Sequence, residues 1–233
     1  MLNKNIPEVI LLDDAYQHRH IKPGLNILLI DYNKPISNDF MLPVGKLREP
    51  ASHSNRAHIV LVTKCPANLN PLDFRIMNKG LNLFPYQSLF FTTVTYRSLK
   101  SLFGFHTKFK TINDLYGIET LVVTGIANPA PIYKKLESVG AKITKLEFRD
   151  HHEFKAADIH KILTTFRAIK EKNKALICTE KDEVRLKTGS FSKELSKLPL
   201  YSLPIEVCFL NNEEAKFKKL LENFINCNAF KTN

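Results

Sequence analysis

Short, continuous apolar runs recur along this chain and constrain its fold more than any other feature of the sequence. They read EVILLDD, LNILLIDY, AHIVLVTKC, LFFTTVTY, TLVVTGI, KALICTEKD and IEVCFL. The later runs alternate with residues 129–139 and 156–171, where apolar side chains recur at helical spacing. Pro129 and Pro131 suit the first turn of the earlier helix, and Gly140 suits its end. Apolar strands alternating with amphipathic helices predict an α/β fold with a mostly parallel sheet covered on both faces.

The first run, residues 8–14, predicts a strand buried on both faces that ends in two adjacent carboxylates, Asp13 and Asp14. A buried parallel strand belongs in the middle of a sheet, although this one stands almost at the start of the chain. Ligands of open α/β sheets gather at the carboxyl ends of strands, and carboxylate oxygens suit Mg²⁺. The pair therefore predicts a metal site, with capping of a following helix as the alternative.

The net charge of the chain indicates which classes of binding partner it favours. Thirty-four Lys and Arg against 23 Asp and Glu give a formal net charge of +11, which favours nucleotides, nucleic acid or an anionic membrane surface. The plain alternative is a set of lysines scattered along solvated helices. The four cysteines have no metal-binding spacing and favour a reducing cytosol, and no apolar stretch reaches the ~18 residues of a membrane span.

Two polar motifs follow the first run. QHRH, residues 17–20, places an amide, two imidazoles and a guanidinium just beyond the carboxylates, a composition that suits phosphate and hydroxyl recognition. MLPVGKLREP, residues 41–50, combines turn-forming Gly and Pro with Arg48 and Glu49. An arginine on a rigid loop can bind phosphate through two hydrogen bonds, and a surface salt bridge with Glu49 or a neighbour is an equally good explanation.

Three further motifs lie in the second half of the chain. TGIANP, residues 124–129, predicts a strand, a turn and a helix start with Asn128 available as its N-cap. FRDHHEF places Asp150 beside His151, which suits acid–base chemistry or an exposed loop without a catalytic role. CTEKDEVRL predicts a strand exit with Thr179 as a cap, Glu180 and Asp182 in the first helical turn, and Lys181 near any bound anion. Capping alone would explain most of this motif.

The sequence contains no GxxxxGK[ST], GxGxxG, GxSxG or HExxH motif, so it encodes no complete phosphate-binding loop of a known type. A domain boundary is predicted near residues 90–118. There FFTTVTY gives way to the polar stretch HTKFKTINDLYG before a new series of strands and helices begins at Leu121.

The order of the motifs DDAYQHR, MLPVGKLREP, TGIANP, FRDHHEF and TEKDEVRL resembles that of the tetraacyldisaccharide 4'-kinases, in the form found in Bacteroidetes-type Gram-negative bacteria. The resemblance covers most of the chain. It implies ATP-dependent phosphorylation of the 4' hydroxyl of a lipid A disaccharide precursor at the cytoplasmic face of the inner membrane. It also implies a P-loop NTPase-type core over residues 1–90, a linker region over 91–118, and a smaller α/β/α domain over 119–233 with a returning linker strand near 205–210.

The resemblance assigns roles residue by residue. Asp13 and Asp14 correspond to acids that hold Mg²⁺, and Gln17, His18 and Arg48 to residues around the phosphates and the sugar hydroxyl. His151, with Asp150 beside it, corresponds to a histidine that pairs with a catalytic aspartate. Glu49, Glu180 and Lys181 are expected near the nucleotide, and the implied cofactors are ATP and Mg²⁺.

The sequence lacks three features of the family pattern. The membrane-anchoring N-terminal helix, the GxxxxGK[ST] loop and the aspartate partner of His151 would all stand before residue 1, so we expect an N-terminally truncated enzyme that is nearly inactive by itself. An unpaired flank along residues 8–13 then predicts aggregation. A basic nucleic-acid-binding α/β protein and another small-molecule kinase of the P-loop type are the alternatives. No nucleic-acid partner is expected, and the oligomeric state is left open.

Overall fold

The computed structural model describes residues 9–104, 108–188 and 191–229. Its strands are β1 (Ile27–Asp31), β2 (Ile59–Thr63), β3 (Ser88–Tyr96), β4 (Lys100–Ser101), β5 (Glu119–Thr124), β6 (Lys142–Glu147), β7 (Lys174–Thr179), β8 (Leu200–Leu203) and β9 (Ile205–Phe209). Its α-helices are α1 (Pro71–Leu81), α2 (Ala130–Ser138), α3 (Ala156–Ala168), α4 (Glu180–Thr188), α5 (Ser192–Leu195) and α6 (Glu214–Ala229). The fold is mixed α/β with mostly parallel sheets, as the sequence predicts.

The chain divides into two compact units. Unit 1 comprises Met1–Val94 together with Val207–Asn233, and unit 2 is the continuous segment Thr95–Glu206. Unit 1 is therefore built from two stretches of chain that are distant in sequence.

The sheet of unit 1 has the strand order β1-β2-β3-β9, and β1, β2 and β3 run parallel. Its core includes the buried side chains of Val60, Val62 and Phe91, against which Phe74 of α1 packs edge-on at 4.7 Å between ring centroids. The N-cap of α1 is Asn70, whose side chain accepts a hydrogen bond from the Asp73 backbone N–H in a reciprocal capping box.

The sheet of unit 2 has the order β4-β8-β7-β5-β6, in which β5 to β8 pair in parallel and β4 is antiparallel to β8. Successive residues of β5 enter opposite cores, because side chains alternate along a strand. Leu121 and Val123 join the cluster that contains α3, and Val122 joins the cluster that contains α2. Both faces of this sheet are therefore covered, as predicted for parallel strands.

The first apolar run is where the prediction is wrong. Residues 9–14 form no strand, and the side chains of Val9, Ile10, Leu11 and Leu12 are exposed; Glu8 lies outside the described residues. An apolar run is buried as a strand only between two hydrogen-bonding neighbours. Within the described part of the chain, however, β1 is the edge of its sheet and pairs only with β2.

The predicted helices are confirmed with adjusted ends. Residues 129–139 become α2 and residues 156–171 become α3, which ends at Ala168. Asn128 is not the N-cap of α2: that position belongs to Pro129, with no side-chain cap. Gly140 follows α2 at a φ of +80°, a conformation that favours glycine. In the described residues, no helix has both the length and the apolar composition needed to cross a bilayer.

Candidate functional site

A cavity of about 310 Å³ in unit 1 brings together three residues of the predicted site, Gln17, Arg48 and Glu49. The other lining residues are Arg19, Met41, Pro50 and His53. The residues come from two separate segments, the loop before β1 and the loop that follows it. Amide, guanidinium and carboxylate groups at one surface can recognise a ligand that carries hydroxyl and phosphate groups.

Backbone hydrogen bonds fix the second of these loops, residues 39–47. The Leu42 N–H donates to the Leu47 carbonyl at 3.0 Å, and the Leu47 N–H donates to the Phe40 carbonyl at 3.0 Å. At Gly45 the chain comes so close to itself that a Cβ would lie 2.1 Å from the Phe40 carbonyl oxygen. Only glycine fits there without a shift of the backbone, so the sequence dictates the shape of the loop that leads to Arg48.

Arg48 reaches across to the first predicted acid pair. Its Nη1 donates to both carboxylate oxygens of Asp14, at 3.2 and 3.1 Å. Asp14 itself has a φ of +49°, which places it in the left-handed region. The salt bridge anticipated for Arg48 therefore involves Asp14 and not Glu49, and both partners are largely exposed.

Asp13, Asp14, Gln17 and His18 line a second, larger cavity of about 980 Å³ in unit 1, together with Arg56. The acid pair and three residues of QHRH, namely Gln17, His18 and Arg19, thus line the same cavity. Adjacent carboxylates suit Mg²⁺, which usually binds one or two carboxylates and completes its shell with water and phosphate oxygens. Among the described residues there is no group of three His, Cys, Asp or Glu side chains that would hold a metal by itself.

Glu49 is the centre of a charged cluster that the sequence analysis missed. Its carboxylate accepts hydrogen bonds from His53 Nδ1 at 3.0 Å and from Arg56 Nη2 at 2.5 Å. Arg56 also lies over the Tyr16 ring, 4.7 Å from its centroid, and partial burial raises the pKa of the Tyr16 hydroxyl. His53 and Arg56 follow Glu49 at spacings of four and seven residues, a helical pattern that could have indicated the cluster.

Arg19 adds a second cation to this cluster. Its Nη2 lies 3.1 Å from His53 Nε2 and 3.9 Å from Glu49 Oε2. The same Nη2 lies closer still, at 2.8 Å, to His53 Nδ1, the nitrogen that contacts Glu49. The cavity wall is therefore held by charged side chains that bind one another.

In unit 2 the structure distinguishes the two adjacent histidines. His152 Nε2 lies 2.9 Å from Asp158 Oδ2, and its ring stacks on Phe148 at 4.9 Å between centroids. Its role is to hold the loop against α3. His151 is exposed, has a φ of +57°, and lies 3.8 Å from Asp150 through its Nε2. His151 is therefore the histidine of the pair that faces solvent.

Asp182 organises the surroundings of His151. It is fully buried and accepts hydrogen bonds from the Gly125 N–H at 3.0 Å and the Thr179 hydroxyl at 2.6 Å. Arg185 Nη1 donates to Asp182 Oδ1 at 3.2 Å and to the Gly125 carbonyl at 3.1 Å. The other Arg185 nitrogen, Nη2, lies 3.3 Å from His151 Nδ1. A buried carboxylate thus connects TGIANP, FRDHHEF and TEKDEVRL.

The two residues singled out in TEKDEVRL, Glu180 and Lys181, are exposed on the first turn of α4. The next two residues are buried instead. Glu183 accepts hydrogen bonds from Lys187 and Ser202, each at 2.6 Å. Burial alone would raise the pKa of Glu183, but hydrogen bonds from Lys187, Ser202 and Lys100 outweigh it and lower the pKa to about 2. The Thr-x-x-Asp spacing of Thr179 and Asp182 is a capping-box signal that points to the buried position.

Comparison with known proteins extends this description. A model of the family described as tetraacyldisaccharide-1-P 4'-kinase matches residues 1–226. Named relatives include a tetraacyldisaccharide 4'-kinase from Phocaeicola vulgatus, 44% identical over 97% of this chain and 62% of that protein. Another, from Flavobacterium johnsoniae, is 40% identical over 92% of this chain and 59% of that protein. The chain thus spans about three fifths of the length of the curated relatives it matches.

A solved structure agrees in fold. The crystal structure of LpxK from Aquifex aeolicus in complex with ATP superposes with a TM-score of 0.59 at 22% sequence identity, over 91% of this chain and 56% of that one. The family match, over residues 1–226, runs through all five motifs. The chain belongs to the tetraacyldisaccharide-1-P 4'-kinase family.

Proposed function

We propose that this chain carries acceptor- and phosphate-binding parts of an enzyme that transfers the γ-phosphate of ATP to the 4' hydroxyl of a tetraacyldisaccharide 1-phosphate at the cytoplasmic face of the inner membrane. The observation that carries the proposal is the cavity in which Gln17, Arg48 and Glu49 come together. The names of the relatives support the acceptor, and the ATP complex of the structural neighbour supports the donor.

The proposed roles follow from the chemistry of each side chain. Arg48 neutralises phosphate, because a guanidinium can donate two hydrogen bonds to one anion. Gln17 and His18 bind hydroxyl or phosphate oxygens at the cavity edge. Glu49 holds the wall in place through His53 and Arg56, which explains how a carboxylate can stand beside a phosphate site without repelling the ligand.

Asp13 and Asp14 are the residues proposed to hold Mg²⁺. Both are exposed carboxylates beside the larger cavity, and this donor set fits a cation that takes the rest of its shell from water and phosphate. When bound with ATP, Mg²⁺ neutralises charge on the phosphate oxygens. In the structure Arg48 forms a salt bridge with Asp14. Its guanidinium therefore lies close to the position proposed for the phosphate oxygens.

His151 is proposed to hold a catalytic carboxylate in the orientation that accepts the hydroxyl proton. Arg185 donates toward His151 Nδ1, which places the proton of a neutral ring on Nε2, where it can be donated to a carboxylate. The nearest carboxylate oxygen in the same loop, Asp150 Oδ2, lies 3.8 Å from Nε2, beyond hydrogen-bond distance. Glu180 and Lys181, exposed at the start of α4, are proposed to contact the nucleotide.

The test compares two arginine variants of unit 1. The chain is incubated with Mg²⁺, ATP carrying a labelled γ-phosphate, and tetraacyldisaccharide 1-phosphate in detergent micelles. Labelled bisphosphate product and equilibrium binding of the acceptor are both measured, because we expect slow turnover. Arg48→Ala should reduce transfer by about a hundredfold and weaken acceptor binding. Arg75→Ala, at an exposed position of α1, should change neither. Unchanged binding in Arg48→Ala would refute the assignment.

A further inference from the structure

The loop that carries Arg48 also carries a cluster of exposed apolar side chains. Within residues 40–44, which we name the apolar tip, Phe40, Met41, Leu42 and Val44 are 70%, 46%, 63% and 83% exposed. Single exposed apolar residues are normal on protein surfaces, but a contiguous group marks a site of interaction.

The backbone of the apolar tip is held in a tight turn. The Gly45 N–H donates to the Met41 carbonyl at 3.0 Å, and Gly45 approaches the Phe40 backbone so closely that no side chain fits there. Because neighbouring residues of the tip are exposed together, their side chains point in several directions from one protrusion. A rigid protein surface would cover only one side of such a protrusion, whereas a fluid acyl layer surrounds all of it.

The charges beside the apolar tip favour an anionic lipid surface. The single acid of the loop, Asp39, turns its carboxylate inward and accepts hydrogen bonds from the Phe40 and Lys46 N–H groups at 2.8 and 3.1 Å. Lys46 itself is exposed. Arg19 and Arg48, which share a cavity wall with Met41, are 58% and 60% exposed at the side chain and form salt bridges with Glu49 and Asp14. Basic groups beside an inserted apolar group add attraction to anionic headgroups.

We propose that the apolar tip is a membrane-docking element: Phe40, Leu42 and Val44 enter the acyl layer of an anionic bilayer while Lys46 meets its headgroups. The proposed site is a surface of unit 1 that binds lipid in the absence of nucleotide and acceptor. It goes beyond phosphate transfer, and its test contains neither ATP nor the disaccharide, so a failed kinase assay does not affect it.

The chain has no tryptophan, so one introduced tryptophan reports on its own position. Val44→Trp is mixed with vesicles of phosphatidylcholine and phosphatidylglycerol, with or without brominated acyl chains. We expect its emission to shift to shorter wavelength and to be quenched by the brominated lipid. Leu72→Trp on α1 is the control and should show neither effect. An unshifted and unquenched Val44→Trp would overturn the proposal.

The second measurement is the fraction of protein that sediments with vesicles. It compares variants at two leucines of equal exposure. Leu42 and Leu72 are both 63% exposed, one in the apolar tip and one on α1. Leu42→Asp should lower partitioning by about tenfold or more, because one buried leucine contributes at least that factor. Leu72→Asp should leave it unchanged. Equal loss in both variants, or equal binding of the parent chain to pure phosphatidylcholine vesicles, would contradict the proposal.

Discussion

Asp182 and Glu183 are adjacent acids that enter the interior of unit 2 on the same helix, where each is surrounded by hydrogen-bond donors. A buried carboxylate without such donors would be protonated, since burial disfavours the charged form. The donors reverse that preference at Glu183, whose pKa is about 2. The ionised carboxylate is therefore part of the folded structure, and its protonation weakens the fold.

The pH dependence of unfolding should show this contribution. The pKa of Glu183 falls from 4.5 to about 2 on folding, so its stabilising effect is complete above pH 4.5 and is lost as the pH falls toward 2. Glu183→Gln should lower the free energy of unfolding at neutral pH by about 2 kcal/mol. It should also weaken the dependence of this free energy on pH between about pH 4.5 and pH 2. Glu180→Gln, at the exposed start of the same helix, should follow the parent curve throughout.

Two glycines of unit 1 should respond to alanine in opposite directions. Gly45→Ala forces a Cβ to within 2.4 Å of Asp39 Oδ1, and we expect it to lower the free energy of unfolding by about 1–3 kcal/mol. Gly80→Ala, in α1, meets only the Ser37 hydroxyl oxygen at 3.6 Å and should stabilise the protein by about 0.5–1 kcal/mol. Urea unfolding measures both; a stabilised Gly45→Ala would show that the loop is not fixed by close packing.

At the scale of secondary-structure elements, aromatic contacts join α6 to the sheet of unit 1. The Phe217 ring of α6 meets Phe90 of β3 edge-on at 5.5 Å between centroids, and Phe209 at the end of β9 lies 4.9 Å from Phe217. Phe90 is fully buried. Phe217 thus covers a core residue that lies more than a hundred positions earlier in the sequence.

Phe217→Ala should therefore destabilise unit 1 by about 3 kcal/mol, because it removes a large side chain from contact with a buried ring. Hydrogen exchange, which reports each unit separately, should show loss of protection in β3 and none in β7. Phe224→Ala, further along the same helix, is the matched control and should cost less, since Phe224 packs against the surface residue Gly24. Equal loss of protection in the two units would contradict this assignment.

The secondary structure was predictable where the burial of an element produces a simple pattern of apolar residues in the sequence. Strands β5 and β7 are apolar on both faces and are recognised directly, whereas β6 is an edge strand whose polar and apolar residues alternate weakly, and it escapes notice. In α4 the Thr-x-x-Asp spacing indicates Asp182, but the sequence could not show that Glu183 also turns inward, because that depends on its contact with Ser202 of β8. Residues 9–12 were misjudged because an apolar run alone does not supply the neighbouring strand that buries it.

At the scale of the whole molecule, the exposed edge of unit 1 controls solution behaviour. Leu29 on β1 is 64% exposed, and the side chains of residues 9–12 are exposed as well. Within the described residues β1 has a strand on one side only. An apolar, unpaired edge is a template for association with other chains.

We expect the chain to associate as its concentration rises, and Leu29→Lys to reduce this association, because a charge on an edge strand opposes pairing. Ile76→Lys adds the same charge at an exposed position of α1 and should have a smaller effect. Light scattering over a concentration series distinguishes the two variants. A monodisperse parent chain at high concentration would contradict the expectation.

The division of the chain has a consequence for the order in which it can fold during synthesis. Unit 2 is continuous, so its last residue, Glu206, emerges from the ribosome ahead of α6. Unit 1 begins first but cannot cover Phe90 until Phe209 and Phe217 emerge. The usual order in which the N-terminal part folds first is thereby reversed: the inserted unit is complete while the surrounding unit still waits for its C-terminal segment.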